Sequence, residues 1–170
     1  MRKVFVVSSG LLLLAVILQF YFAAYGAFTI PFPVTTEEHH EAFAMHSGNT
    51  NVILLLSLLS TGAAYLAKAG KRTAMLALAP FVLTLVQVII FVVAGIAGAD
   101  IDATPPTSTT TAHAIVALHA INALAILGTA LGALIRALQH DAALRHDGAL
   151  QHDEALKQDE AEGAVATANP

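Results

Sequence analysis

Two histidines sit inside long apolar runs of this chain: His46 in "AFAMHSGNTNVILLL" and His119 in "AIVALHAINALAIL", with Asn122 three residues after the second. An imidazole in such surroundings can coordinate a metal, relay a proton or tie helices together by hydrogen bonds. Polar side chains within a bilayer are costly and turn toward a bundle interior or a cavity, so they mark the places where function is built. The remaining polar groups of this kind are Gln19, Asn49, Asn51 and Gln87, beside several Ser and Thr that can bond back to their own helix.

The elements that must position these residues follow from composition. The chain has 170 residues, 56% of them hydrophobic and 12% charged, with a mean hydropathy of +0.70, which describes a membrane protein and not a soluble domain. Four runs contain no Lys, Arg, Asp or Glu: Val4 to Thr36, Ala42 to Ala67, Thr73 to Ala99 and Ala103 to Ile135. Each exceeds the about 20 residues that cross a bilayer once. The expected fold is all-α, a transmembrane up-down four-helix bundle with spans at about 4–28, 42–67, 74–98 and 112–135, forming one domain over 1–136. The first run is long for a secretory signal, whose apolar core is about 7–15 residues, so it is expected as a retained span.

Charge sets the orientation. Arg2, Lys3, Lys68, Lys71, Arg72, Arg136 and Arg145 gather at one set of ends, whereas "TIPFPVTTEEHHE" and "GADIDATPPTSTTTAH" hold no Lys or Arg. The excess of basic residues on the cytoplasmic side then places both termini in the cytoplasm of a multi-pass cell-membrane protein. The Pro and Thr residues of the two outward connections suit exposed turns that deliver capped helix starts. Residues 137–170 form a cytoplasmic tail that opens with the hexads "ALQHDA ALRHDG ALQHDE ALKQDE". Six residues advance a helix by about 600°, so neither the Leu nor the His of successive hexads forms a stripe, and the His-Asp pairs are not gathered into a metal site. A partly helical or disordered tail is expected, with "GAVATANP" unstructured.

At about 1.5 Å per residue, His46 lies about 9 Å inside the outer start of its helix and His119 about 10 Å inside its own. Alternate helices of an up-down bundle are diagonal, so the two imidazoles can meet across the core. Gln19 and Gln87 bring polarity to about the same region from the other two helices. Two imidazoles facing across an apolar, alanine-rich interior form the arrangement that holds a b-type haem by both axial positions. His46 and His119 are the expected axial ligands to the haem iron, with Gln19, Gln87 and Asn122 as supporting polar residues. Ser47, Gly48, Ala120 and Ala123 would leave room for a flat macrocycle. His, Asn and Gln in spans also serve as interhelical glue, at roughly 0.6 kcal/mol per bond.

The stretch "LTLVQVIIFVVAGIAG" followed by a loop and "AIVALHAINALAIL" resembles the third-to-fourth helix region of one half of heme A synthase, and "EEHHEAFAMHSGNTNVILLLSLL" resembles its second helix. The likeness covers about Glu37 to Leu134 and implies a haem-binding four-helix bundle with histidines at His46 and His119. That enzyme usually carries a glutamate and an arginine where this chain has Phe43 and Ser47, so the likeness implies haem binding without haem A synthesis. With no outward Lys or Arg, haem propionates would rely on His39, His40, the Thr109 to Thr111 hydroxyls and solvent. The full pattern, with "LQFYFAAYGAF" on the first helix and "ALHAIN" on the fourth, also resembles a family of small bacterial four-helix membrane proteins of unknown function.

Zero cysteines excludes disulfides, thiolate metal sites and thioether-bound haem. A net charge of −4 with one short basic turn gives no nucleic-acid footprint. No catalytic constellation is present, and an enzyme is not expected. Three functions remain: a haem-binding electron carrier or haem-handling protein; a non-catalytic accessory subunit that docks a membrane partner or a second copy through small lipid-facing residues such as Gly128 and Gly132; and a proton or solute conductor using His39 and His46. The charge pattern makes a direct prediction. A reporter that is active only in the cytoplasm should be active at either terminus and inactive when inserted after Pro105; activity at the loop would reverse the orientation.

Overall fold

Hydrocarbon-compatible segments close all their backbone hydrogen bonds internally, and helices do so residue by residue. The protein, seen in a computed structural model that describes residues 1–29, 35–100, 103 and 107–167, is accordingly helical: α1 Arg2–Thr29, α2 Thr36–Ala42, α3 Ala44–Leu66, α4 Lys71–Ile96 and α5 Thr110–Thr167. Four of these helices, all but α2, are long and apolar enough to cross a membrane. α1 packs on α3 and α5, and α4 packs on the same two, which leaves α1 diagonal to α4 and α3 diagonal to α5.

The core is made of small residues. Ala63, Ala64, Ala77, Ala94, Ala130, Ala133 and Ala137 are buried together with Ser9, Ser57 and Ser60, while Leu11, Leu14, Leu55, Ile89 and Ile121 stand exposed on the outside. That inside-out distribution is the one that lipid imposes. Apolar tails solvate Leu as well as a neighbouring helix does, so helices associate where small side chains let backbones approach. Phe5, Leu12 and Val16 of α1 fill what the alanines leave.

The expected second span is preceded by a short helix, α2. A capping box starts α2, with Thr35 Oγ1 accepting from Glu38 N at 3.2 Å and Glu38 Oε2 accepting from Thr35 N at 3.1 Å. The helix breaks at Phe43 (φ −101°, ψ 8°) before α3 begins. The junction rests on α1 at Gly26, where a Cβ would meet Ala42 O at 2.7 Å and the Phe43 ring at 2.9 Å. α5 also starts on a threonine: Thr109 Oγ1 accepts from Ala112 N at 3.1 Å and donates to Ala97 O at 2.6 Å. Both connections expected to face outward end in the capped starts expected of them, although residues 30–34, 101, 102 and 104–106 lie outside the described residues.

At the opposite end α5 does not stop. It continues through the hexads to Thr167, about 48 Å past Ile135 at 1.5 Å per residue. Ala, Leu, Gln and Glu make up more than half of the tail and favour helix strongly enough to carry it past Gly148 and into "GAVAT", in contrast to the unstructured end expected there. The first hexad docks on the bundle. Asp141 is buried, with Arg2 Nε 3.0 Å from Oδ1 in an ionic contact without hydrogen-bond alignment and Arg145 Nη2 2.6 Å from Oδ2. His140 Nε2 lies 3.0 Å from Ala67 O at the end of α3.

Gly132 does not face lipid as expected; its Cβ position is 3.2 Å from Leu76 Cδ2, so it packs α5 on α4. Gly26→Ala should lower stability by about 1–3 kcal/mol, because the new methyl group meets a backbone oxygen that has no room to yield. Gly48→Ala, with open space at that position, should be neutral or stabilising in the same thermal unfolding experiment in detergent. Equal effects of the two substitutions would show that the α1 contact at Gly26 is not tight.

Candidate functional site

Each of the four long helices brings polar groups to one level of the bundle. Between α1 and α3, Asn49 Nδ2 donates to Ala15 O at 2.8 Å and to Gln19 Oε1 at 2.7 Å. Gln19 Nε2 lies 3.0 Å from His46 O, 3.0 Å from Thr50 Oγ1 and 3.2 Å from His46 Nε2. Between α4 and α5 the same arrangement recurs. Asn122 Nδ2 donates to Leu83 O at 2.8 Å and to Gln87 Oε1, and Gln87 Nε2 lies 3.0 Å from His119 O and in close contact with His119 Nδ1.

The recurrence extends to the whole site. A shift of 68 residues carries Gln19 of α1 onto Gln87 of α4, and a shift of 73 carries His46 of α3 onto His119 of α5. Under those two shifts most buried positions of α1 and α3 fall on buried positions, among them Leu12 on Pro80, Val16 on Thr84, Gly26 on Ala94, Ile53 on Ile126, Ser57 on Ala130, Ser60 on Ala133 and Ala64 on Ala137. The hairpins α1/α3 and α4/α5 thus play equivalent parts around a pseudo-two-fold axis along the bundle, a parallel internal repeat.

A cavity of about 510 Å³ lies on that axis. It is lined by eight equivalent pairs: Val16 and Thr84, Gln19 and Gln87, Phe20 and Val88, Ala23 and Phe91, His46 and His119, Ser47 and Ala120, Thr50 and Ala123, Ile53 and Ile126. The size falls within the about 300–1,000 Å³ of small-molecule sites. His46 and His119 face each other there with ring centroids 6.3 Å apart and planes tilted by 47°. They make no hydrogen bond to each other among the described residues; each is bonded within its own hairpin. Phe91 packs edge-on against His119 at 4.9 Å, and Phe43 against His46 at 6.2 Å.

All five expected site residues meet at this level. Gln19, Gln87, His46 and His119 line the cavity, and Asn122 stands behind Gln87. Ser47, Ala120 and Ala123 line it as expected, but Gly48 does not. His39 reaches the site only through Phe43, whose ring centroid is 4.9 Å from its own. Asn49, not among the expected site residues, is the counterpart of Asn122. The signal was available in "HSGN" and "HAIN", two H-x-x-N motifs that put His and Asn on one helix face.

Below the cavity the polar groups are closed off. Ser9 Oγ and Ser60 Oγ bond each other at 2.6 Å, and Ser57 and Thr61 donate to their own helix carbonyls at 2.8 and 2.7 Å.

The equivalence of the halves predicts equal penalties. Asn49→Ala and Asn122→Ala should each cost about 0.5–1.5 kcal/mol by removing the partner of a glutamine oxygen. Reversible unfolding in mixed micelles measures both, and a loss at one position with none at the other would break the two-fold account.

Residues 19–95, a little under half of the chain, match the Family of unknown function (DUF6220). No curated protein and no solved structure matches.

Proposed function

We propose that this is a haem-binding protein of the cell membrane, with both termini cytoplasmic, in which His46 and His119 hold a b-type haem for electron transfer or haem handling. The observation that carries the reading is the spacing of the two rings. Two imidazoles on opposite sides of one metal ion, at about 2 Å each, have ring centres about 6 Å apart; here the separation is 6.3 Å, across a cavity shared equally by both hairpins.

The donor set fits. His46 Nδ1 lies 3.3 Å from Gln19 O, the kind of backbone acceptor that fixes the orientation of a ligating imidazole. Val16, Ile53, Ile126 and Phe91 supply a dry apolar wall, which governs solvent access and redox potential. A haem bound there would supply one-electron chemistry at its iron. The chain's own residues would bind it, orient the imidazoles and exclude water.

A second reading is favoured by a separate observation: each histidine already has hydrogen-bond partners within its hairpin. An accessory subunit, docking a membrane protein or a second copy through a lipid-facing position such as Gly128, needs nothing more from these residues. A proton or solute conductor has less support, since the hydroxyls below the cavity bond one another or their own helices.

Absorbance spectra of the detergent-purified chain, expressed with ample haem and recorded oxidised and dithionite-reduced, test the proposal. The expected result is a Soret band with sharpened reduced bands, absent from a folded double variant carrying His46→Ala and His119→Ala. A protein that stays colourless after haem addition would sink the proposal and leave the accessory reading.

A further inference from the structure

The hydrogen bonds around the cavity run within the hairpins and not between them. Asn49, Gln19 and His46 tie α1 to α3, and Asn122, Gln87 and His119 tie α4 to α5. Among the described residues, no side-chain hydrogen bond joins one hairpin to the other at this level. The links between hairpins gather at the opposite end of the bundle. There Arg2 of α1 meets Asp141 of α5 at 3.0 Å, His140 Nε2 of α5 lies 3.0 Å from Ala67 O, and the turn 67–70 connects α3 to α4. That end is about 30 Å from His46, counting 1.5 Å per residue along α3 to Leu66. The hairpins are therefore hinged at one end and held by packing alone where the cavity lies.

Along the bundle axis the cavity is enclosed. Leu12, Ile53 and Ile126 are buried on one side of it, and Gly26, Ala94 and Ala112 on the other. Across the axis it is not. Phe20, Val88, Ser47 and Ala120 line it and yet are exposed, Phe20 by 39% and Val88 by 57%. One residue turns a helix by about 100°, so Phe20 and Val88 stand one step round from the glutamines, and Ser47 and Ala120 one step round from the histidines. They border the seams between hairpins: Phe20 and Ala120 that of α1 and α5, Val88 and Ser47 that of α3 and α4. These two windows are two-fold equivalents with unlike side chains. A phenyl ring that is for the most part covered flanks the first, and a smaller, more exposed valine flanks the second.

We propose that the cavity exchanges haem with the bilayer through the window between α3 and α4, bounded by Val88 and Ser47, so that membrane-dissolved haem is the cargo of this protein. This rests on the haem reading above. A flat, largely apolar macrocycle concentrates in the hydrocarbon phase that surrounds such a window. Parting the hinged hairpins there breaks no side-chain hydrogen bond among the described residues. A route along the axis would instead have to pass the junction at Gly26, whose Cβ position is 2.7 Å from Ala42 O and 2.9 Å from the Phe43 ring.

The test uses the full chain in phosphatidylcholine vesicles. Ferric haem is added and the rise of the bound Soret band is timed; release is timed by transfer to excess apomyoglobin. Diluting the suspension about tenfold with buffer should leave the uptake rate unchanged, because haem per lipid stays constant, whereas entry from water slows in proportion. Val88→Trp should slow uptake and release together, each by about tenfold, as a narrowed passage does and a filled site does not. Val88→Ala should speed both, and Phe20→Trp, in the other window, should change either by less than about twofold. Uptake that falls on dilution, equal slowing by the two tryptophans, slowed uptake with unslowed release, or Val88 variants with unchanged rates would each overturn the proposal. In those cases haem is still bound and the two-histidine reading survives. A wild type that takes up no haem overturns both.

Discussion

The architecture of the site depends on one hydrogen bond made twice: an asparagine amide donating to a helix carbonyl on the neighbouring helix, Asn49 to Ala15 and Asn122 to Leu83. In an apolar interior a carbonyl has no water to reorganise around it, so it dictates the orientation of the first amide, which dictates the second. The glutamines end with their nitrogens against the histidines, and the helix register is pinned at Gln19 and Gln87 in the same stroke. Each bond is modest in energy, at roughly 0.6 kcal/mol on average. Their value lies in direction, because the chain of donors and acceptors has one consistent assignment.

That chain of bonds requires close helices, and the small-residue core provides them. Ser9 and Ser60 approach to 2.6 Å where the other hairpin places Ala77 and Ala133. The same register holds a hydroxyl pair in one half and a methyl pair in the other. Two packing chemistries thus sustain one backbone arrangement, as expected where helix association rests on contact distance and not on a hydrophobic driving force. Pro80 fits the same logic. It sits at the buried position of α4 equivalent to Leu12, and Thr84 donates to its carbonyl at 2.8 Å. Its missing N–H is tolerated because neighbouring helices and Ser or Thr side chains can re-satisfy the groups it frees.

Near-symmetry gives the cavity a character that neither hairpin has alone. A lone hairpin presents one imidazole clamped by its own glutamine; two of them place the imidazoles across a shared space. Five of the eight pairs differ in residue type: Val16 against Thr84, Phe20 against Val88, Ala23 against Phe91, Ser47 against Ala120 and Thr50 against Ala123. The equivalent rings therefore have unlike environments. At the other end of the bundle the first hexad of the tail is fastened through Asp141 and His140, and Asp147 and Asp153 of the following hexads are exposed. Similar sequence units therefore do different work according to whether another helix lies alongside.

Much of this was legible in the sequence. Runs without charge fixed four spans because lipid excludes ionised side chains over a known thickness. Depth along a helix follows from a constant rise per residue, so His46 and His119 could be assigned to one depth, and Gln19 and Gln87 to the outer or middle part of the bundle, before any contact was known. The break at Phe43, the packing of Gly132 on Leu76 and the internal two-fold were not legible in this way. Each depends on helix rotation and on what stands opposite, and near-uniform hydrophobicity around a membrane helix carries no stripe from which rotation can be read. The asparagine at position 49 shows the limit most clearly. Its residue type announced a polar contact, but only the neighbouring carbonyl of Ala15 decided which way its amide points.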